Sequence, residues 1–531
     1  MRVAFVLIPT HWHRLGWCGK VSSMRAEHGS EIDQARRLAA EGQTESAIER
    51  LDALSRSLPE DVSVLYALGA IARSAGLLDE AERAFRAVLD RQPNEVEAAI
   101  AVANVLVAKG NPGAATRILT RIHNLSPQLL PASLALGAAL LADDNPTDAL
   151  ALFDHIIGQH PDLPQAHANR AEVLARLGRY RASLAAAEHA HQLAPADARI
   201  GLNKAFALFT ERRIDEGLAA YEARLAPDLP TAAIREGLGL PRWDSGPLPA
   251  GRLLIAAEQG LGDEIRFAAA VWALAQNGVP IVLESEPRLV PLLQRSLPTA
   301  TVVQYDRRRS GVRPIFRYRW LDGLDEPPAA WIEAGSLPLR LGLIRETSIA
   351  PAGYIKPDEE RAAGFRRWVR SIGDAKPTIG IVWGSGDQSA ARHRFYPPLE
   401  AWGPVLSVPG IRFVDLQYMD SSADRAALND MFGVEIVPVE VLDKRNDLDG
   451  TAALDAALDA VVGVSSSVAA LAGAVGTSTV EVLGERNWIP KMSGRDGWLG
   501  PIQQIEPEIP GDWADVITRA AAALKELIGG G

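Results

Sequence analysis

Three stretches in the second half of the chain place polar residues where a phosphorylated ligand could be held. The first runs Leu253-Leu254-Ile255-Ala256-Ala257-Glu258-Gln259-Gly260-Leu261-Gly262-Asp263, an apolar strand, a tight Gly-x-Gly turn and a helix start. Parallel sheets bind ligands beyond the carboxyl ends of their strands, where backbone N–H groups at helix N-termini are free. Asp263, just past Gly260 and Gly262, either caps that helix or faces the cleft. The third glycine of a dinucleotide fingerprint is missing, and no acidic residue follows at the usual distance. The second stretch repeats the construction. Thr378-Ile379-Gly380-Ile381-Val382-Trp383 leads into the loop Gly384-Ser385-Gly386-Asp387 and the basic run Arg392-His393-Arg394-Phe395-Tyr396-Pro397. Arg392 and Arg394 beside a Gly/Ser loop suit a phosphate, because a guanidinium makes paired hydrogen bonds to its oxygens; solvated surface arginine is the alternative. The third is a strand ending at Val464, then Ser465, Ser466 and Ser467 before the small-residue stretch Val468–Ala474. Three hydroxyls at a helix N-terminus combine capping with an anion cradle, where capping alone needs one.

Other chemistries find little support. After residue 191 the only histidine is His393, and the chain's single cysteine is Cys18. Zinc sites and cysteine nucleophiles are thereby nearly excluded from the second half, and a Ser-His-Asp triad would have to use His393. Asn446-Asp447-Leu448-Asp449 contains an Asp-x-Asp, but it opens a helix, and N-capping is the better reading. His11 and His13 lack a third ligand, and Arg307-Arg308-Arg309 reads as a solvated run.

Composition sets the outer bounds. The chain has 531 residues, 47% hydrophobic and only 6% aromatic, with a net charge of −11. That length calls for two to four domains, and the charge argues against a broad nucleic-acid footprint. One cysteine fits a reducing cytoplasm and rules out an internal disulfide framework. No run reaches the roughly 18 apolar residues of a membrane span, and Met1 to Thr10 lacks the cleavage site of a signal peptide. Met24 is an alternative start.

The elements that must position these residues follow from a ruler in the first half. Pro59, Pro93, Pro127, Pro161 and Pro195 stand 34 residues apart. Twelve residues before each lie Ala47, Ala81, Ala115, Ala149 and Ser183, and eight before lie Leu51, Phe85, Leu119, Phe153 and Ala187. Small residues let two helices approach, a large apolar one fills the gap, and proline ends the second helix. The pattern resembles the tetratricopeptide repeat, whose stacked helix pairs form a groove that binds a protein or peptide. A sixth, degenerate unit carries Ala205, Gly217 and Tyr221 at the expected offsets. Beyond it, eight short apolar runs alternate with helical stretches, which argues for an α/β architecture with buried parallel strands. The expected plan is an extension over 1–27, repeats over 28–229 and a connector over 230–250. One lobe follows over 251–345, an interlobe connection over 346–375 and a second lobe over 376–531. Cutting near Pro241 is expected to separate recruitment from chemistry.

The order of the pieces resembles bacterial repeat-containing glycosyltransferases whose C-terminal half is related to the heptosyltransferases of glycosyltransferase family 9. The resemblance covers about residues 213 to 505. Its carriers are Gly217, Tyr221-Glu222-x-Arg224, Pro241-Arg242-Trp243-Asp244, Glu258 to Asp263, Ser336-Leu337-Pro338, Gly380 to Trp383, Leu416-Gln417, Leu458-Asp459 and Ser467 to Ala474. It implies α repeats followed by a GT-B fold, two Rossmann-like lobes facing each other across a cleft. It implies Asp263 as general base, and donor contacts at Gly260, Gly262, Gly384, Ser385, Arg392, Arg394, Gln417, Ser465, Ser466 and Ser467. No metal or other cofactor is implied beyond the nucleotide-sugar co-substrate. The family usually carries Asp-Thr-x-x-x-His where this chain has Ser465 to Ala470, so both the acid and the histidine are absent. Without the acid, an anionic donor sugar of the nonulosonic type meets no like charge at Ser465. The leading expectation is a cytoplasmic protein glycosyltransferase with an acceptor such as flagellin in the repeat groove. A non-catalytic adaptor with a degenerate transferase half, and a transferase acting on a glycan or lipid-linked acceptor, are the alternatives.

Overall fold

The computed structural model describes residues 29–40, 43–229, 231–244, 246–247, 250–258, 260–310, 313–342, 350–373, 375–384, 394–487, 491–492, 495–496 and 498–529. The extension over 1–27 with His11, His13, Cys18 and Met24, and also Gln259, Ser385, Arg392 and His393, lie outside the described residues.

The first half consists of helix pairs. They are α1 (Gly29–Ala40) and α2 (Thr44–Ser57), α3 (Val62–Ser74) and α4 (Leu78–Arg91), α5 (Val96–Ala108) and α6 (Pro112–Leu125), α7 (Leu130–Ala142) and α8 (Pro146–Gln159), α9 (Pro164–Arg176) and α10 (Tyr180–Leu193), and α11 (Ala198–Thr210) and α12 (Ile214–Tyr221). Each of the five prolines falls two residues beyond the last residue of an even-numbered helix, where its ring disfavours helical conformation in the residue before it. The small residues of the ruler are buried, and their size is required. A Cβ on Gly69 would lie 2.8 Å from Phe85 and one on Gly217 2.6 Å from Phe209, and Gly137 meets Phe153 in the same way. Ser183 substitutes for alanine by donating its hydroxyl to the Ala171 carbonyl at 2.7 Å.

All eight apolar runs form strands. In the first α/β unit, β2 (Leu253–Ala256), β3 (Ile281–Ser285), β4 (Thr301–Gln304) and β7 (Ala330–Glu333) make a parallel sheet in the order β4-β3-β2-β7. In the second, β8 (Thr378–Val382), β9 (Arg412–Asp415), β10 (Ile436–Val437), β11 (Ala460–Val464), β12 (Thr479–Val482) and β15 (Ile502–Ile505) run parallel in the order β10-β9-β8-β11-β12-β15. Two short antiparallel strands, β13 (Lys491–Met492) and β14 (Arg495–Asp496), extend its edge. Strand order reverses beside β2 in the first sheet and beside β8 in the second. Crevices open at such reversals, at the carboxyl ends of the strands. A third, small sheet of β1 (Ile234–Glu236), β6 (Arg313–Arg317) and β5 (Asp306–Ser310) was not foreseen. It gives the arginine run a place: Arg307 stacks over the Tyr305 ring at 4.6 Å, while Arg308 is exposed.

Helix α13 (Leu261–Gln276) follows β2. Further helices are α14 (Val290–Ser296), α15 (Glu359–Ser371), α16 (Ser422–Phe432), α17 (Leu448–Asp455), α18 (Ser467–Val475) and α19 (Trp513–Gly529). One apolar core runs from Phe209, Leu218 and Tyr221 of the sixth repeat through Ile255 and Phe267 to Leu471, Trp498 and Ile502. The repeats therefore do not end at a free joint, and a cut near Pro241 would open this core. The connector also takes part in the first unit, since the Trp243 amide donates to the Trp331 carbonyl at 2.8 Å and the Trp331 amide to Pro241 at 3.1 Å. Repeats five and six reach the second unit as well. Arg212 holds Glu506 at 2.5 and 2.6 Å, and Arg486 stacks over Tyr180 at 4.5 Å. No described helix is long and apolar enough to cross a membrane.

Candidate functional site

The two helix starts singled out in the sequence touch. Helix α13 begins at its N-cap Gly260, which contributes no side-chain acceptor. Helix α18 begins at Ser466, whose hydroxyl accepts from the Ala469 amide at 3.2 Å. A Cβ on Gly262 would stand 3.4 Å from Ser467 Cα and 3.6 Å from its backbone nitrogen, so the two turns approach at glycine distance. The two lobes are in contact at this point. Asp263 follows directly, half-buried at the third helical position rather than at the N-cap. Ser465 at the end of β11 is exposed, and Ala470, in the place of the family's histidine, is fully buried.

The remaining donor-contact candidates lie along the same edge of the second sheet. Gln417 follows β9 and accepts from the Gly384 amide, at the end of β8, at 3.4 Å. Its own amide donates to Asp415 at 2.7 Å. The Arg394 carbonyl would lie 2.7 Å from a Cβ on Gly484, just past β12. Gln417, Gly384, Ser465 and Arg394 thus mark the carboxyl ends of the neighbours β9, β8, β11 and β12 in turn. The Arg394 guanidinium packs on the Phe395 ring at 4.5 Å, and its buried Nε has no hydrogen-bond partner among the described residues. A buried donor without a partner is costly to leave unsatisfied, which suits a ligand oxygen there.

Several residues that sequence reasoning missed surround these turns. Arg266, one helical turn beyond Asp263, crosses to the second unit. It donates to Glu481 at 2.8 Å and to Asp496 at 3.3 Å, all three being buried. Burial pushes Asp496 up to about 6 despite Arg266. Glu264, buried beside Asp263, accepts from Ser285 at 3.0 Å and from the Glu286 amide at 2.9 Å, and its desolvation pushes it up to about 8. The one available signal was the unbroken small and apolar run Ala268–Val271 after Glu264 and Arg266. It marks a helix covered on several sides, whose polar members must then be paired. At the end of β9, Asp415 accepts from Ser421 at 2.5 Å and pairs with Arg425 at 3.1 Å; Lys444 donates to its carbonyl at 2.8 Å.

The scattered motif residues before the first sheet form one network. Arg224, which is buried, donates to Glu258 at 2.8 and 3.2 Å, to Glu222 at 2.8 Å and to Ser336 at 2.8 Å. Arg242 donates to Glu333 at 2.8 Å and to Glu222 at 3.1 Å. Glu258 also accepts from the Gly335 amide at 2.9 Å. This cluster fastens the end of the sixth repeat to the carboxyl edge of β2 and β7, so its role is joining. Asp447 caps α17 by accepting from Gly450 at 2.8 Å and Asp449 is held by Arg295 at 2.7 Å, which settles the Asp-x-Asp as structural. Among the described residues no group of three or more His, Cys, Asp or Glu side chains could hold a metal ion.

The fold defines a tetratricopeptide-repeat protein with an α/β part built on parallel sheets. The tetratricopeptide repeat family matches residues 32–96 and 72–121, and again 106–173. Protein FlbA of Caulobacter vibrioides is 34% identical over 379 residues, covering 69% of this chain. The chain spans 62% of that protein's length. A stretch of 379 residues exceeds the whole helical part, so the likeness extends into the α/β part. Among solved structures, TTC0263 of Thermus thermophilus, a repeat protein, is 21% identical with a TM-score of 0.29, covering 34% of this chain and 97% of its own. A repeat protein of Parabacteroides merdae is 21% identical with a TM-score of 0.32, covering 38% and 81%.

Proposed function

We propose that this chain is a GT-B glycosyltransferase of the cytoplasm. It moves a sugar from a nucleotide-sugar donor to Ser or Thr of a protein, such as flagellin, held by the repeat groove. The observation that carries the proposal is the convergence at one edge. The Gly262-Asp263 turn meets the Ser466-Ser467 turn, with Gly384, Gln417 and Arg394 on adjoining strand ends. An acceptor hydroxyl is a poor nucleophile, and the Asp263 carboxylate removes its proton as it attacks the anomeric carbon. The bond from that carbon to the nucleotide phosphate breaks. The negative charge that develops on the phosphate is met by Arg394 and the N-terminus of α18. Ser465 in place of an acid admits an anionic sugar.

A second reading is favoured by a specific observation. Gly262 lies against Ser467, and the buried Arg266, Glu481 and Asp496 hold the units together there. In that reading the transferase half is a rigid adaptor that performs no transfer. Thermal shifts and turnover with a panel of neutral and acidic nucleotide sugars decide between them. A donor that both stabilises the full chain and is consumed in the presence of acceptor supports the transferase. Stability unchanged by every donor, with none consumed, selects the adaptor.

A further inference from the structure

The 34-residue ruler exposes a lost polar partner between the fifth and sixth repeats. In the third repeat His123 at the end of α6 faces Ser133 near the start of α7, with Nδ1 2.8 Å from the serine hydroxyl. Two repeat lengths on, the same positions are His191 and Gly201. One repeat length on, the serine position is His167, which fills its place by stacking edge-on with His189 at 4.5 Å and bonding the Pro161 carbonyl at 2.7 Å. Gly201 offers no side chain, and a Cβ there would stand 3.0 Å from the Ala223 Cβ, so the helices close onto the glycine itself. A cavity of about 430 Å³ opens beside it between α10, α11 and α12, and the buried Nδ1 of His191 has no hydrogen-bond partner among the described residues.

The polar groups around this cavity are unequal. Asp197 accepts from the Arg199 and Ile200 amides at 2.9 and 3.3 Å, capping α11. Glu216 is bound by Arg213 at 2.7 Å. Lys204 makes no ion pair or hydrogen bond among the described residues, although its charge acts on Glu216 at longer range. Its ammonium and His191 Nδ1 are therefore the groups left to meet a ligand, over a floor of small residues such as Ala220 and Ala223.

We propose that this pocket binds a small organic carboxylate, with the acid on Lys204 and His191 and an apolar body over the alanine floor. Burial and the neighbouring Lys204 lower the His191 pKa, so the imidazole is neutral and can donate from Nδ1. A phosphate would bring nearly two charges to one cation, whereas a carboxylate is matched by one. The volume falls in the range of small-molecule pockets. The site is separate from the sheet edge described above, so its test is independent of the transferase reading.

The probes are 4-phenylbutyrate, 4-phenylbutanol and 4-phenylbutylamine, added to the full chain with carbon-13-labelled histidines. The His191 resonance is identified by its loss in His191→Gln. Phenylbutyrate should move that resonance saturably and bind about tenfold more tightly than the alcohol, one charge-assisted hydrogen bond apart. The amine should leave the resonance unmoved. Lys204→Met should abolish the preference for acid over alcohol. Ala219→Leu, on an exposed helix face at the rim, should block both with the fold intact by circular dichroism. An unmoved His191 resonance at saturating phenylbutyrate, equal binding of acid and amine, or an acid preference surviving Lys204→Met would overturn the proposal.

Discussion

Replacing Arg266 by methionine tests how the α/β units are held. The guanidinium sits between Glu481 at 2.8 Å and Asp496 at 3.3 Å, with both carboxylates buried. Methionine keeps much of the stem volume and removes the cation. Among the described residues Glu481 then retains the Gln504 amide at 2.8 Å, and Asp496 the Trp498 and Leu499 amides at 2.7 and 3.1 Å. Breaking a buried pair from one side costs about 3–5 kcal/mol, because the other charge stays desolvated. Because the chain has several structural units, one global unfolding energy is not the right measure. Hydrogen exchange read by peptide is better, comparing 261–276 and 495–505 with the repeats at 62–142. The first two segments should exchange faster by two orders of magnitude or more, since 1.4 kcal/mol is tenfold, with the repeats unchanged. The effect should shrink as pH falls towards 5, because Asp496, pushed up to about 6 by burial, can then take up a proton. That sign follows from linkage. A carboxyl whose folded pKa is raised binds more protons folded than unfolded, so it favours the fold at low pH and loses that contribution as pH rises. Adding Glu481→Gln and Asp496→Asn should restore most of the protection. If Arg266→Met left exchange in 261–276 and 495–505 unaltered at pH 8, the ion cluster would not be what joins the units.

Other expectations concern the edge itself. Asp263→Asn keeps shape and removes the base, so turnover should fall by roughly two to four orders of magnitude with unchanged circular dichroism; undiminished turnover would remove Asp263 from the chemistry. Arg394→Ala should weaken donor binding by roughly 1.5–3 kcal/mol, measured by calorimetry, the loss of one charged hydrogen bond. Ser465→Asp should damage use of an acidic donor far more than a neutral one, and equal effects in a competition assay would sink the anionic-donor idea. Glu264, raised to about 8 by burial, should make the wild type lose stability as pH rises from its ordinary value near 4.5 towards 8. Glu264→Gln should flatten that slope in hydrogen exchange of 261–276, corrected for intrinsic rates, between pH 5 and 8.

Much of the architecture was legible because it is written in local periodicity. A 34-residue spacing of Pro, small and large residues needs only neighbouring helices for its meaning, and Ala81, Ala149 and Gly217 could be read as contact points before any partner was known. The eight strand runs were legible for a similar reason: buried parallel strands need unbroken apolar stretches. Strands β7 and β15 were not found, since Ala330–Glu333 and Ile502–Ile505 mix polar with apolar residues and owe their strand form to β2 and β12 beside them.

By itself, the sequence determined the repeats, the two strand–helix alternations and the candidates Gly260, Gly262, Asp263, Gly384, Gln417, Arg394 and Ser465 to Ser467. These are local matters of turn chemistry, capping and hydrophobic pattern. Only the tertiary structure decided that the sixth repeat shares a core with both α/β units, and that Gly262 lies against Ser467 about two hundred residues away. It also decided that Arg224, Arg242, Glu258 and Glu333 meet in one network, and that Arg266 spans the units. A charged residue shows in sequence its type and its helix face, whereas its pairing depends on which distant carboxylate the packed fold brings within hydrogen-bond reach. The cavity beside Gly201 lies between the two cases: the repeat ruler identifies the missing side chain, and the packing of α10, α11 and α12 leaves a space next to it.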